Sequence, residues 1–491
     1  MDREHVVVVG GGVGGLTAAL ALGREGHRVT VLERDPLPAD AGPEEAFVAE
    51  RRGAPQVHQT HGFLARIVVE LRDHLPDVLD ALLAAGGHTM SGTAALGEPR
   101  PGDEDLAVLI VRRTTFEWVL RRAALAEPGV TIRTDVEVEG LTAEPATSGG
   151  PPTVTGAVLV GGEVVGADAV VAAMGRRSPV PAWLSGHGVE IAESINPSGL
   201  MYLTRWYRLR PGAFAELDPR LGGDLQFVKY LGVPGDGDTL SITLAVRPDD
   251  HDLRTALSDP DGFEAACRLL PGPDQFFRDG PLEPVGGVRP MAGLLNRSRS
   301  FTDAAGEPLV LGFHAVGDAH TCTNPLYGRG CSLALVQALR LTSALTDHPG
   351  DPVGQARAYE AASRREVRPS HDFAVEMDRM GADPSGRAGP GEEGAPSDQQ
   401  RGMTALFVAG ATDPVIGRGL ARLWNLLSSW EDLMADAELM TRIMEVMADP
   451  DAYPMPAADG PTRTELLAAL ANEPTYEPTN EPTNEPTGAP A

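Results

Sequence analysis

The 491 residues carry 41 Lys and Arg against 69 Asp and Glu, a formal charge of -28; so acidic a chain is a poor partner for nucleic acid, whose phosphates are held by Lys and Arg. With 42% hydrophobic and 22% charged residues, the composition excludes disordered and fibrous classes and leaves room for two or three globular domains. No basic segment leads into an apolar stretch at the start, and no run reaches ~20 apolar residues, so neither a signal peptide nor a membrane span is expected.

In chain order, VVVV (6–9), a glycine-rich turn, a small-residue helix to about Arg24 and VTVLE (29–33) predict a βαβ opening. Within it, Gly10-x-Gly12-x-x-Gly15 follows the strand and Glu33 ends the next one. Such glycines permit a tight turn and close passage of a pyrophosphate over the helix N-terminus, and the carboxylate can accept from a ribose hydroxyl. Residues 40–52 read as a polar loop, with Asp35 before it a surface or cap residue. Apolar spacing predicts helix over 63–85, broken at Pro76. A strand at 106–111 and a helix over 114–126 flank Arg113, in "IVRRTTFEWVLRRAAL". An Arg at that junction is either a solvated basic turn or a contact to a diphosphate or ribose.

Short strands are predicted through 130–174, around a Pro/Gly loop at 147–153, and "ADAVVAAMGRRSPVPAWL" (167–184) reads alone as a strand and a basic turn. From about 185 to 285 the spacing predicts an inserted β-rich domain with a largely antiparallel sheet. That domain holds the chain's single lysine, Lys229, on which any mechanism needing a side-chain amine must draw. A strand and turn like those of the opening return at 308–318, making the first domain discontinuous. "GDAHTCTNPLYGRGCSLA" (317–334) then leads into a helix to Leu345, whose N-terminus after a glycine-rich turn is a ready site for an anion or dipole. Helices follow over about 353–449, interrupted by a Gly, Pro and charge-rich segment (381–401), and NEPT-like repeats end the chain as a tail without core-forming residues. Cys267, Cys322 and Cys331 have no metal spacing and fit a reduced, cytoplasmic protein.

Taken together, GxGxxG, Arg113 followed by "TTFE", "DAVVAAMGRRS" and "GDAHTCTNPLYGRGCSLA" resemble, in order and spacing, the flavoprotein monooxygenases of the para-hydroxybenzoate hydroxylase fold. The chain is most similar to the squalene-epoxidase-like and polyketide-epoxidase subgroup of actinomycete secondary metabolism and antibiotic biosynthesis. The resemblance covers about residues 5–345. It implies an α/β fold: a Rossmann-like FAD-binding domain (1–184 and 286–350), a β-rich substrate domain (185–285), a C-terminal helical region (351–465) and a disordered NEPT tail (466–491). It further implies that Gly10, Gly12, Gly14 and Gly15 cradle the FAD pyrophosphate, that Glu33 and Arg34 serve the adenosine ribose, and that Arg113 and Gly175 contact FAD. Asp318 would bond the ribityl chain. Asn324, Pro325, Gly328, Arg329 and Gly330 would run beside the isoalloxazine, with the following helix aiming its positive end at the flavin N1–C2=O. Arg329 stands where Gln is common, and His320-Thr321-Cys322 also departs from the pattern. His61, in "RRGAPQVHQTHGFLAR" (51–66), is either catalytic near the flavin or a structural, solvated loop residue.

The implied activity is FAD-dependent monooxygenation: a flavin C4a-hydroperoxide gives one oxygen of O2 to a hydrophobic small-molecule substrate, by epoxidation or hydroxylation. No second dinucleotide motif is present, so NAD(P)H docks transiently or a separate flavin reductase supplies electrons. Two alternatives stay open: a flavin-dependent reductase or dehydrogenase of a lipid-like substrate, and a flavin-free prenyl-protein binder like the Rab GDP-dissociation inhibitors. Halogenation lacks its lysine before residue 229 and a WxWxIP stretch.

Overall fold

Four successive valines are buried on both faces only inside a sheet covered on both sides. In the computed structural model, which describes residues 4–36, 41–93, 96–145, 149–212, 220–278, 280–382, 398–454 and 459–472, they lie in the central strand His5–Val9 of a five-stranded sheet. Its order is Phe313–Ala315, Ala169–Ala172, His5–Val9, Arg28–Leu32, Val130–Arg133, and every pairing is parallel. The strand from residue 313 arrives from far along the chain to pair with that at 169–172, so this α/β layer is discontinuous.

The helix Val13–Arg24 is buried almost all round, packed between the sheet and the helices Arg113–Ala126 and Gly330–Asp347. Small residues make this possible: a Cβ on Gly15 would stand 1.9 Å from the Gly10 carbonyl oxygen, and Gly10 itself has φ +109°, open to glycine at little cost. Three antiparallel strands, Val138–Glu144, Thr153–Leu159 and Val164–Gly166, form a small separate sheet.

The second layer is a five-stranded antiparallel sheet ordered Gly222–Asp224, Val228–Gly235, Thr239–Val246, Met201–Arg208, Glu283–Met291. Two helices not expected from the sequence, His251–Ser258 and Pro260–Leu269, supply Leu253, Leu257 and Phe263 to its core. Asp250 and Asp259 cap them by accepting from backbone N–H groups. A buried ion pair fixes this layer to the first: Asp236 accepts from the Arg112 backbone N–H at 2.7 Å, from its guanidinium at 2.7 and 2.9 Å, and from the Thr115 hydroxyl at 2.7 Å.

Helices Pro352–Glu366, Arg368–Ala382, Asp398–Gly410, Pro414–Trp424, Trp430–Ala435 and Ala437–Ala448 make the C-terminal region, the last four around a core including Leu406, Ile416 and Leu439. Residues 383–397 of the predicted interruption lie outside the described residues. Three expectations are corrected. The segment read as a loop over 40–52 contains the helix Pro43–Val48, with Pro43 at its first position and Phe47 buried. Asp35 is buried, 2% exposed, and accepts from Arg51 and Gly53. The tail read as disordered from 466 begins inside the helix Arg463–Asn472, where Leu466 packs into the core of the antiparallel layer; residues 473–491 lie outside the described residues.

His314, 3% exposed on the edge strand, faces the Tyr359 ring at 5.7 Å and its Nε2 has no partner. Burial pushes its pKa down to about 4, against a slight opposite pull from Glu360. The unfolded chain takes up this proton first, near pH 6.5. The contribution is therefore intact above about pH 6.5 and falls as pH drops toward 4, by at most about 3 kcal/mol. In urea unfolding measured from pH 7 to pH 4, His314→Phe should lose stability less steeply than the wild type; parallel curves would refute this reading.

Candidate functional site

The parallel strands place their C-terminal ends at one edge, and a cavity of about 400 Å³ opens there. Its floor is the turn Gly10 to Gly14, where a Cβ on Gly12 would meet nothing nearer than 3.8 Å. Bare backbone without a side chain at a helix N-terminus is what a diphosphate requires. Gly15 does not line the cavity; it is the contact that lets helix and strand approach.

Glu33 directly follows the second strand. One of its oxygens accepts from Gly11 N–H at 2.5 Å and the other from Asp35 N–H at 2.8 Å; an ionised carboxylate has about four acceptor positions, so positions remain for a ribose hydroxyl. Arg34 lines the same end.

Two guanidinium groups, Arg51 and Arg113, line one wall and are held by a buried carboxylate between them. Glu117 accepts from Arg113 at 2.8 Å and from Arg51 at 2.7 Å, and Arg51 also donates to Asp35 at 2.8 Å. Burial alone would push Glu117 up; Arg113 and Arg51 overcome it and hold its carboxyl below the usual range. Arg113 Nη1 also donates to Cys331 Sγ at 3.0 Å and to His61 Nε2 at 3.4 Å.

His61 does line the cavity. Its Nδ1 donates to the Gln59 carbonyl at 2.9 Å, which leaves Nε2 as the bare nitrogen facing Arg113. Burial, then the neighbouring Arg113, pushes its pKa down to about 4. At neutral pH it is uncharged, with Nε2 an acceptor.

Asp318, Gly328 and Gly330 line the far end, with Gly175, Arg176 and Pro325. Burial pushes the Asp318 carboxyl up, against the pull of Arg113, Arg176 and Arg297. Gly330 begins the helix Gly330–Asp347, so backbone N–H groups and the positive helix end face the cavity. Two motif residues are placed differently. Asn324 is fully buried behind the turn, donating to Asp378 at 2.8 Å and accepting from the Tyr202 hydroxyl at 3.0 Å. Arg329, 1% exposed, turns its side chain away toward the helix Arg368–Ala382, where its Nη1 donates to the Ser370 carbonyl at 3.3 Å.

A second cavity, about 1020 Å³, lies between the antiparallel layer and the C-terminal helices and shares Thr60, Tyr202 and Pro325 with the first. Its walls include Leu231, Met377, Met403, Phe407 and Trp424. Asp378, also on its wall, accepts from Asn296, Asn324 and Tyr327 at 2.7, 2.8 and 2.6 Å. Sequence reasoning missed Arg51, Asp35, Glu117 and Asp378. Glu117 had a signal, an i,i+4 partner for Arg113 on one helix face; Asp378 sits in no motif.

Residues 5–113 match the family model of FAD dependent oxidoreductases (DAO). The chain is 28% identical over 372 residues to Protein Rv3254 of Mycobacterium tuberculosis, covering 70% of this chain and 73% of that protein. It is 28% identical over 383 residues to a kynurenine 3-monooxygenase of Salinispora arenicola, covering 74% and 76%. Among solved structures, pqsL of Pseudomonas aeruginosa, a probable FAD-dependent monooxygenase, superposes with a TM-score of 0.56 at 18% identity, covering 77% of this chain and 95% of that one. Among the described residues, no helix is long and apolar enough to cross a membrane. Cavity, sequence match and architecture together make this chain an enzyme of the FAD-dependent oxidoreductase type, built on the fold of the flavin monooxygenases.

Proposed function

We propose that the protein is a cytoplasmic FAD-dependent monooxygenase that places one oxygen of O2 on a hydrophobic small molecule, by epoxidation or hydroxylation. The observation that carries this reading is the adjacency of the two cavities: a glycine-floored groove suited to a dinucleotide shares Thr60, Tyr202 and Pro325 with a larger, mostly apolar chamber. A dehydrogenase of the same scaffold would need no such apolar chamber beside the groove for oxygen transfer, and a flavin-free binding protein would have no use for the groove. The names of the kynurenine 3-monooxygenase and of pqsL support the same reaction class.

Bound FAD would supply the electron transfer and oxygen activation. The protein's part is binding, orientation and field. The backbone of Gly10 to Gly14 and the helix behind it hold the pyrophosphate, Arg113 adds charge beside it, and Glu33 takes the ribose. Asp318 accepts from the ribityl chain, and the N-terminal N–H groups of the helix at Gly330 favour negative charge on the ring system. Met377, Phe407 and Trp424 would exclude water from the substrate. Electrons come from NAD(P)H or from a separate reductase.

The purified protein should show a flavin absorption spectrum that bleaches with NAD(P)H or a supplied reductase and recovers in air, releasing peroxide when no substrate is present. Protein that is colourless and cannot be reconstituted with FAD would overturn the proposal. Asp318→Ala should weaken FAD retention at least tenfold, read by fluorescence of released flavin; full retention would remove Asp318 from the site. Glu117→Gln strands Arg51 and Arg113 against each other in a buried place. It should cost about 3–5 kcal/mol in chemical denaturation, whereas a loss under 1 kcal/mol would show the clamp to be dispensable.

A further inference from the structure

Arg329 is one of the two motif residues that the site does not absorb. Its side chain is 1% exposed, and its Nε and Nη2 have no hydrogen-bond partner. The guanidinium carbon lies 4.2 Å from the Phe373 ring centroid and 6.0 Å from that of Trp424, and its one bond is the long contact to the Ser370 carbonyl. No carboxylate among the described residues pairs with it. Buried Asp378 spends its oxygens on Asn296, Asn324 and Tyr327. Burial lowers the Arg329 pKa to about 10, with Tyr327 opposing, which leaves the group a cation at neutral pH.

A buried cation without an anion is costly, and most arginines of this acidic chain have a carboxylate at hand. Gly328 and Gly330, on either side of Arg329, line the flavin cavity. An arginine side chain reaches ~7 Å from its Cα, so the charge stands on the order of 10 Å from that cavity wall. At the effective dielectric of a protein interior, a unit charge at such a distance still changes the formation of an anion by about tenfold. The charge also lies beside the N-terminus of the helix Gly330–Asp347, and both act with the same sign.

We propose that Arg329 is an unpaired buried cation that raises the reduction potential of the bound flavin, the reduced, anionic cofactor supplying the negative charge that the protein withholds. It acts through space as a positioning charge and touches neither cofactor nor substrate. The proposal rests on the reading of the cavity as an FAD site.

The test compares wild-type holoprotein with Arg329→Met, which keeps the apolar stem, and Arg329→Lys, which keeps the charge. Two readouts are independent of turnover: the midpoint potential of bound FAD against a reference dye, and the affinity for sulfite. Sulfite adds its electron pair to flavin N5 while a ring pair moves to N1–C2=O, creating the same anion without reduction. Arg329→Met should weaken sulfite binding about tenfold and lower the potential by the equivalent ~30 mV for a two-electron couple; Arg329→Lys should stay within threefold of wild type. Unchanged potential and sulfite affinity in a flavinated Arg329→Met protein, even one with a lowered melting temperature, would make Arg329 a packing residue and end the proposal. If Arg329→Met retains no FAD, the lysine variant decides: retention supports a requirement for charge, and loss in both overturns it. Wild-type protein that binds no FAD refutes the site itself, a different failure.

Discussion

The glycine-floored cavity is assembled around one buried carboxylate, Glu117. Three pieces of chain converge on it: the helix that carries it and Arg113, the segment that carries Arg51, and, through Arg51, Asp35 just after the second strand. Each charge is desolvated, so removing any one leaves its partners buried and uncompensated, and the arrangement holds as a unit. The geometry that follows is specific. Arg113 is held so that its remaining N–H groups face Cys331 and His61, and Asp35 N–H is held on Glu33, which also binds Gly11. The turn, Glu33 and the arginine of the cavity are thereby set relative to one another by hydrogen bonds of 2.5–2.8 Å.

The antiparallel layer is registered to this unit one residue away, where Arg112 binds Asp236. Successive arginines thus point to opposite tasks: Arg112 locks the roof, Arg113 addresses the floor. On the far side the polar knot of Asn296, Asn324, Tyr327, Tyr202 and Asp378 ties both layers to the C-terminal helices. The larger cavity lies between these ties. Its volume is therefore a property of the whole assembly, and no single layer encloses it.

What the sequence revealed follows from the range of each signal. The valine run, the glycine spacing and the helix after residue 330 are local, set by burial period and backbone freedom, and the α/β layer was legible from them. The two helices at 251–269 were less so, since short strands on either side dominated the texture; their Asp caps and Pro260 were the available signal. The loop reading over 40–52 failed because a six-residue helix with one buried residue, Phe47, leaves almost no periodicity. Asp35 and Asp378 were illegible for a different reason. Their partners lie 16 to 82 residues away, and a buried carboxylate looks like a surface one until the chain folds around it.

Net charge is a poor guide to the field that a cofactor meets. The chain carries -28 overall, which would repel a dinucleotide at long range. Yet the smaller cavity is lined by Arg34, Arg51, Arg52, Arg113, Arg176 and Arg177 against the acids Glu33, Glu137 and Asp318. At physiological ionic strength charges more than about 8 Å away in solvent are largely screened, so surface acids contribute little inside the groove. The partly desolvated arginines and the helix ends act there at short range and low dielectric. An acidic surface and a cationic groove coexist because they operate over different distances: the surface keeps molecules apart, and the groove, cationic within that envelope, suits an anionic ligand.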